Sequence, residues 1–379
     1  MIGMSGIIGL AKRRYREYLR NKQLRLFETP VVREIPEELG CEAPKDRPIR
    51  FGVIGAGKVF DRWMNDMLRV PKECGICVKG IFDGSPELSW AKAEAYGIPK
   101  CCSCYEELLS DPEIDAIYVA TPNHLHAGHS IEALSAGKHV LCEKPIARNT
   151  AELDRMFEAA EASGVILAEG MWMRTLPLIR LLQKLVGEGI VGKIRFISAD
   201  CCNNDDPSAY PAMFSREKGG GALMDVGCYA LHFAHLFFSG VPDIRASAVL
   251  AESGVDLTGS AVLTFPDGIA VLSQSLGCTG GAKAVLHGTE GWIEIPRYLD
   301  SPSEFTVRFP NKQPIVYRYA LPREKRPIGY AYEITRFADR IRSGERGCGI
   351  VPYDDTKLVA AEMEEIRRQC GVVFTGEER

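Results

Sequence analysis

Several features that would mark a nucleic-acid-binding, membrane or secreted protein are missing from this chain. Its 379 residues carry 46 Lys and Arg against 50 Asp and Glu, a formal net charge of −4. Without a basic excess, neither a nucleic-acid groove nor a polybasic membrane patch is expected. No apolar run reaches the roughly twenty residues that a membrane span needs. No secretory leader is read at the start either, because the short apolar stretch "MIGMSGIIGLA" is followed, not preceded, by basic residues. Among the thirteen cysteines, the clusters "CCSC" (Cys101, Cys102, Cys104) and "DCCN" (Cys201, Cys202) are not read as the paired-thiolate or Cys/His set of a zinc site. No metal is therefore expected, the thiols are read as reduced and structural, and the protein as cytoplasmic. Internal repeats are also absent. The partner left by these exclusions is a small molecule or another protein.

What is present is enough apolar sequence, 46% of residues, for two sizeable cores. Residues 1–49 read as an N-terminal arm and linker, with the basic amphipathic piece "AKRRYREYLRNKQLRLF" followed by the connector "ETPVVREIPEELGCEAPKDRP". This arm is expected to pack on its own chain or a neighbour in preference to a membrane surface. From Ile49, short Val/Ile-rich runs alternate with helical segments through "IRFGVIGA", "CVKGIFDG", "DAIYVATP" and "KHVLCEKP". That alternation predicts an α/β fold whose first domain, residues 50–170, has a parallel sheet with helices on its faces. Beyond about residue 190 the strands lengthen and hairpin signals appear, so residues 171–379 are expected to form a second α/β domain with an open, mostly antiparallel sheet. Asp267-Gly268 reads as a two-residue hairpin of type I′, with positive φ at both central positions. The last helix, "DDTKLVAAEMEEIRRQCG", is expected to end at a Gly371 cap.

"FGVIGAGKVF" sets Gly55 and Gly57 after an apolar strand and before a helix. There the first glycine makes a tight turn, the second admits a pyrophosphate, and the helix N-terminus, with Lys58 and Val59, faces the anion. Phe60 stands where the GxGxxG pattern has its third glycine. The second strand ends at Asp83, placed to accept hydrogen bonds from adenosine ribose hydroxyls and to repel a 2′-phosphate. NAD is therefore expected before NADP. Ser85, just beyond it, is counted with Asp83 among the cofactor-binding residues; alternatively, Asp83 or Ser85 caps the next helix.

"KHVLCEKPIAR" raises a different question, since a buried strand stops at Glu143, Lys144 and Pro145. In an open parallel sheet, ligands lie outside the carboxyl ends of the strands, where Glu143 and Lys144 emerge beside Thr121, Pro122, Asn123 and His126 of "ATPNHLH". A lysine here orients a substrate hydroxyl and lowers the pKa of a neighbouring acid. In "GGGALMDVGCYALH", Asp225 and Tyr229 are four residues apart, on one helical face.

With "GVIGAGKV", "TPNHLHAGHSIEALSAGKHVLCEKPIA" and "GGGALMDVGCYALH", the chain resembles the glucose-fructose oxidoreductase / inositol dehydrogenase (Gfo/Idh/MocA) family over roughly residues 50 to 372. The tyrosine at 229 points to its dimeric dihydrodiol dehydrogenase-like branch. The resemblance implies an N-terminal Rossmann domain, a C-terminal domain whose sheet lines the substrate site and makes a homo-oligomer (dimer or tetramer), and NAD or NADP as cofactor. It assigns Lys144, Asp225 and Tyr229 as catalytic, with Tyr229 passing a proton once Lys144 has lowered its pKa. Trp172 and Arg174 would lie near the nicotinamide half of the cofactor, or else be a core aromatic and a partner of a surface acid. His232 and His235 either line the pocket or are packed. The expected activity interconverts a secondary alcohol and a ketone on a sugar, cyclic polyol or dihydrodiol. Two alternatives stay open: an NAD-dependent epimerase or glycosidase with transient oxidation, and a non-catalytic sugar-binding protein on the same fold.

Overall fold

The structure, a computed structural model, describes residues 30–36, 39–41, 48–344 and 350–377. Its first element is a departure from the sequence reading: inside the connector, Val31–Ile35 forms a strand, β1. The first sheet is then built from β2 (Ile49–Ile54), β3 (Ile76–Phe82), β4 (Lys100–Cys101), β5 (Ala116–Val119), β6 (His139–Glu143) and β7 (Leu167–Gly170). Its order is β4-β3-β2-β5-β6-β7, with every pair parallel. Starting at β2, the chain lays strands to one side and then returns to lay β5, β6 and β7 on the other. The carboxyl ends of β2 and β5 thus form the crevice where such sheets bind ligands. Helices Lys58–Met67, Pro86–Tyr96, Asn123–Ser135 and Thr150–Ser163 connect the strands. Their ends follow local chemistry. The Ser85 hydroxyl accepts the Leu88 N–H, Asn149 accepts that of Glu152, and Gly97 and Gly164 close their helices in the left-handed region.

The second sheet comprises β1 with β8 (Ile194–Cys202), β9 (Asp243–Leu250), β10 (Asp256–Thr264), β11 (Ile269–Ser275), β12 (Ala284–Gly288), β13 (Trp292–Ile295), β14 (Glu304–Phe309) and β15 (Lys312–Tyr319). Its order is β1-β15-β14-β13-β12-β8-β11-β10-β9, and only β1–β15 and β8–β11 run parallel. The expected open, mostly antiparallel sheet is therefore present. Through β1, the arm packs on its own chain, whereas the basic amphipathic piece, residues 11–27, lies outside the described residues.

The β10–β11 hairpin forms where the sequence placed it, but its turn is different. Phe265 donates to the Gly268 carbonyl at 2.9 Å, so Pro266 and Asp267 are the central pair, and neither Asp267 nor Gly268 has positive φ. The reason is Pro266, whose ring fixes φ near −65° at the first central position and so excludes a type I′ turn. Gly268 is required for space: a Cβ there would sit 2.6 Å from the Arg195 carbonyl oxygen and the Phe238 ring.

Helices Pro177–Gly187, Cys228–Ala234, Tyr330–Ser343 and Tyr353–Cys370 cover this sheet and its junction with the first. The last closes at Gly371 with φ +73°, as expected. Tyr330–Ser343, not foreseen from the sequence, packs on Lys58–Met67. Asp66, 2% exposed, accepts the N–H groups of Ile328, Gly329 and Ala331 at 3.0, 2.9 and 3.4 Å, capping one helix from another.

Candidate active site

The two loop glycines serve different needs. Gly55 has φ +106°, and a Cβ would meet the Ala120 carbonyl oxygen at 2.5 Å, so it lets the β2 and β5 turns touch. Gly57 opens on free space, with no atom within 4 Å of where its Cβ would lie. The helix after it has no side-chain cap, which leaves its first N–H groups to a ligand. Phe60 is fully buried and meets Tyr96 edge-on at 5.6 Å, so the departure from a third glycine points into the core and leaves the turn clear. These features fit the pyrophosphate of a dinucleotide.

Asp83 is bound by both neighbouring turns, taking the Ala56 N–H at 2.8 Å and the Ser85 N–H at 2.9 Å. The helix cap is Ser85, and Asp83 braces the glycine loop. Each carboxylate oxygen retains acceptor capacity for a ribose hydroxyl. Val59 is half-buried. Lys58 reaches across the cleft to the Ala209 carbonyl at 3.0 Å and lies 3.8 Å over the Tyr210 ring. On the β5 side, the Thr121 hydroxyl is 3.4 Å from His129 Nδ1, and Asn123, next to Pro122, donates to the Gly219 carbonyl at 2.8 Å. His126 is 1% exposed, with ring nitrogens 2.9 Å from the Pro145 carbonyl and 2.7 Å from that of Thr121. Burial pushes its pKa down to about 4. Both ring nitrogens thus face main-chain carbonyls, and the neutral ring donates to one of them.

At the end of β6, Glu143 turns inward, 4% exposed, and accepts from the Tyr118 hydroxyl at 2.7 Å and the Lys144 N–H at 3.1 Å. Burial raises its pKa. The Lys144–Pro145 bond is cis. Lys144 Nζ donates to Asp225 twice, to the main-chain carbonyl at 2.6 Å and to Oδ1 at 3.2 Å. Asp225 lies in a single π turn, Leu223–Gly227, directly before the helix carrying Tyr229, the kind of widened turn often found at functional sites. Burial opposes the Lys144 charge, but Asp225, with Cys228 and Glu143, outweighs it, and the lysine's pKa is raised. It stays an ammonium.

Lys144 and Tyr229 do converge, with Nζ 5.2 Å from the centre of the phenol ring. The expected lowering of the Tyr229 pKa, however, is reversed. Burial, then Tyr330, Asp300, Cys228 and Glu143, push it well above the usual phenol value. Tyr229 is thereby kept as a neutral phenol.

Trp172 meets Tyr229 edge-on at 5.7 Å and Tyr330 at 5.2 Å. Arg174 pairs with Asp355 of the last helix at 2.6 Å. His232 and His235 are packed, against Glu169 at 3.2 Å and Glu362 at 2.7 Å. The sequence reading missed Tyr330, Glu333 and Asp300, which come to this cluster from loops and helices with no motif of their own. A separate cleft of about 870 Å³, lined by Lys193, Phe237 and Phe265 among others, touches none of these residues.

Residues 49–171 match the family model described as "Oxidoreductase family, NAD-binding Rossmann fold", and residues 179–294 match "GFO/IDH/MocA C-terminal domain". The chain is 30% identical to trans-1,2-dihydrobenzene-1,2-diol dehydrogenase of Xenopus tropicalis, covering 86% of this chain and 99% of that protein. It is also 30% identical to scyllo-inositol 2-dehydrogenase (NADP(+)) of Bacillus subtilis (strain 168), over 87% and 99%. A 3-ketoreductase from Actinomadura kijaniata, solved with NADP and TDP-benzene, superposes with a TM-score of 0.76 at 25% identity, covering 86% of this chain and 98% of that one. By its sequence, its two matched domains and its fold, the chain belongs to the GFO/IDH/MocA family of oxidoreductases with an NAD-binding Rossmann domain.

Proposed function

We propose that this protein is an NAD(P)-dependent dehydrogenase that interconverts a secondary alcohol and a ketone on a sugar, cyclic polyol or dihydrodiol. The observation that carries this reading is the meeting of Lys144, Asp225 and Tyr229 at the carboxyl ends of the parallel strands. The nicotinamide, when bound, supplies hydride transfer. Gly55, Gly57, the first N–H groups of the following helix and Asp83 hold the dinucleotide, with NAD preferred and NADP possible. Lys144, fixed by Asp225 and permanently charged, donates to the reacting oxygen and stabilises negative charge there. Tyr229, held neutral, gives that oxygen its proton. Residues 50–170 serve as the cofactor domain and residues 171–379 as the substrate domain. The protein works in the cytoplasm as a homo-oligomer.

The test is turnover of scyllo-inositol, levoglucosan and trans-1,2-dihydrobenzene-1,2-diol with NAD and with NADP, in the wild-type protein and in Tyr229→Phe. Free reduced cofactor should accumulate with at least one alcohol; its absence alongside a product change would favour an epimerase or glycosidase. Tyr229→Phe is expected to bind cofactor normally and lose about 10²–10⁴ in kcat, and unchanged turnover would remove the tyrosine from the mechanism.

A further inference from the structure

A hydroxyl lies in the middle of the buried parallel sheet, and the chemistry above gives it no part. Tyr118, on β5, is fully buried and stacks on Trp63 of helix Lys58–Met67, with ring centres 4.4 Å apart and planes inclined by 14°. Phe51 of β2 in turn meets Trp63 edge-on at 5.5 Å, so the phenol ring is set by a packed aromatic stack. A phenylalanine would make the same ring contacts. What the tyrosine adds is one hydroxyl, and that hydroxyl donates to Glu143 Oε1 at 2.7 Å. A buried polar pair gains little over an apolar pair of the same shape. What this one contributes is direction more than stability.

Glu143 is the last residue of β6 to pair with β7, opposite Gly170. Its second oxygen, Oε2, accepts the main-chain N–H of Lys144 at 3.1 Å, just past the end of the ladder. The carboxylate therefore joins two things: a phenol fixed in the core and the root of the lysine. At its other end, the lysine ammonium donates to the Asp225 carbonyl at 2.6 Å and to Asp225 Oδ1 at 3.2 Å. A lysine ammonium rides on a flexible stem, so a shift at the main-chain root carries through to the tip. Trp63 also belongs to the helix whose first turn is assigned to the pyrophosphate. The cofactor turn and the lysine are thus set from one stack of rings.

We infer that Tyr118 and Glu143 are positioning residues: the Tyr118 hydroxyl fixes the Glu143 carboxylate, the carboxylate fixes the main chain at Lys144, and the ammonium is thereby aimed at the reacting oxygen. This role rests on the function proposed above. Tyr118, enclosed within the sheet, acts only through Glu143. Support of this kind matters because a catalytic group displaced by even about 1 Å loses much of its effect, on the order of 10²-fold. Without the hydroxyl, Glu143 keeps one of its two donors and is free to turn.

The experiment compares kcat and KM for wild-type protein, Tyr118→Phe, Glu143→Leu, Lys144→Ala, and the two double variants that carry Lys144→Ala. The substrates are scyllo-inositol, levoglucosan and trans-1,2-dihydrobenzene-1,2-diol with NAD and NADP, and thermal unfolding and cofactor titration accompany each variant. Tyr118→Phe keeps the ring stack and is expected to fold and to bind cofactor as the wild type does. Its kcat should fall about 10-fold, and that of Glu143→Leu about 10²-fold, with KM within about twofold of wild type. In the Lys144→Ala background neither change should cost anything further, a result that general loosening of the fold would not produce. Crystal structures of Tyr118→Phe and Glu143→Leu should show the Lys144 ammonium displaced from Asp225. If Glu143→Leu does not fold, Tyr118→Phe carries the test alone. A wild-type kcat in Tyr118→Phe, the same loss with Lys144 absent, or an unmoved Lys144 overturns the inference. No turnover by the wild-type protein, or full turnover by Lys144→Ala, brings down the proposed function instead, and the crystal structures then decide the positioning by themselves.

Discussion

Replacing Gly57 by Asp should stabilise the protein and abolish its dinucleotide binding, two effects of opposite sign from one side chain. Gly57 is the N-cap of helix Lys58–Met67, with φ −72° and ψ −169°, a conformation open to any residue, and no atom lies within 4 Å of its Cβ position. An aspartate there can accept the free N–H groups of the first turn and interact favourably with the helix dipole, a gain of about 0.5–1 kcal/mol. Those same N–H groups are the ones assigned to the pyrophosphate in the proposed function. Hydrogen bonds to a charged group contribute about 1.5–3 kcal/mol each, so losing two weakens binding by about 3–6 kcal/mol, or roughly 10²–10⁴-fold in Kd. Charge repulsion adds to this. Gly55→Ala provides the contrast. Its φ of +106° and the Ala120 carbonyl oxygen 2.5 Å away put the cost on the fold, about 1–3 kcal/mol from the backbone alone. Calorimetric titration with NAD and NADP, together with thermal unfolding of the unliganded protein, reads both quantities. Wild-type cofactor affinity in Gly57→Asp would refute the assignment of this turn to the phosphates.

Glu333 also carries a prediction about stability. Its pKa is 4.5 in the unfolded chain and well above that when folded, so the folded protein holds a proton that the unfolded chain releases. This contribution is fully present below pH 4.5 and is lost as pH rises, at up to about 1.4 kcal/mol per pH unit until the folded pKa is passed. Urea unfolding between about pH 5 and pH 8 should show that slope in the wild-type protein and a shallower one in Glu333→Gln; identical slopes would refute it. Asp66→Ala strips the acceptor from three main-chain N–H groups at the start of helix Tyr330–Ser343 and should cost about 3 kcal/mol or more. A loss below about 1 kcal/mol in the same denaturation assay would show that water replaces the cap.

Much of the site was legible because its parts depend on local rules. A glycine with positive φ between a buried strand and a helix, an acid at the end of the next strand, and a lysine at the end of β6 all follow from short stretches of chain. Their order also identifies which sheet edge they share. The type I′ turn was misread because Pro266 outranks Asp-Gly in setting the backbone, a correction available from the sequence itself. The reversed shift at Tyr229 was not available. It depends on how deeply the ring is buried and on which groups other segments bring near it, and neither is encoded in the spacing of Asp225 and Tyr229.

By itself, then, the sequence determined the two kinds of sheet, the glycine turn with an acid at the end of the next strand, and the lysine at the end of β6, since each is a matter of periodicity or of residue type beside a strand end. Only tertiary structure decided that β1 joins the second sheet, that Asp66 caps a helix 260-odd residues away, that His126, His232 and His235 are buried, and that the Glu333 carboxyl is buried with no hydrogen-bond partner. The physical reason is that burial and electrostatics are summed over neighbours from distant parts of the chain. A carboxyl group is a paired anion or a neutral acid according to whether some other segment brings it a donor.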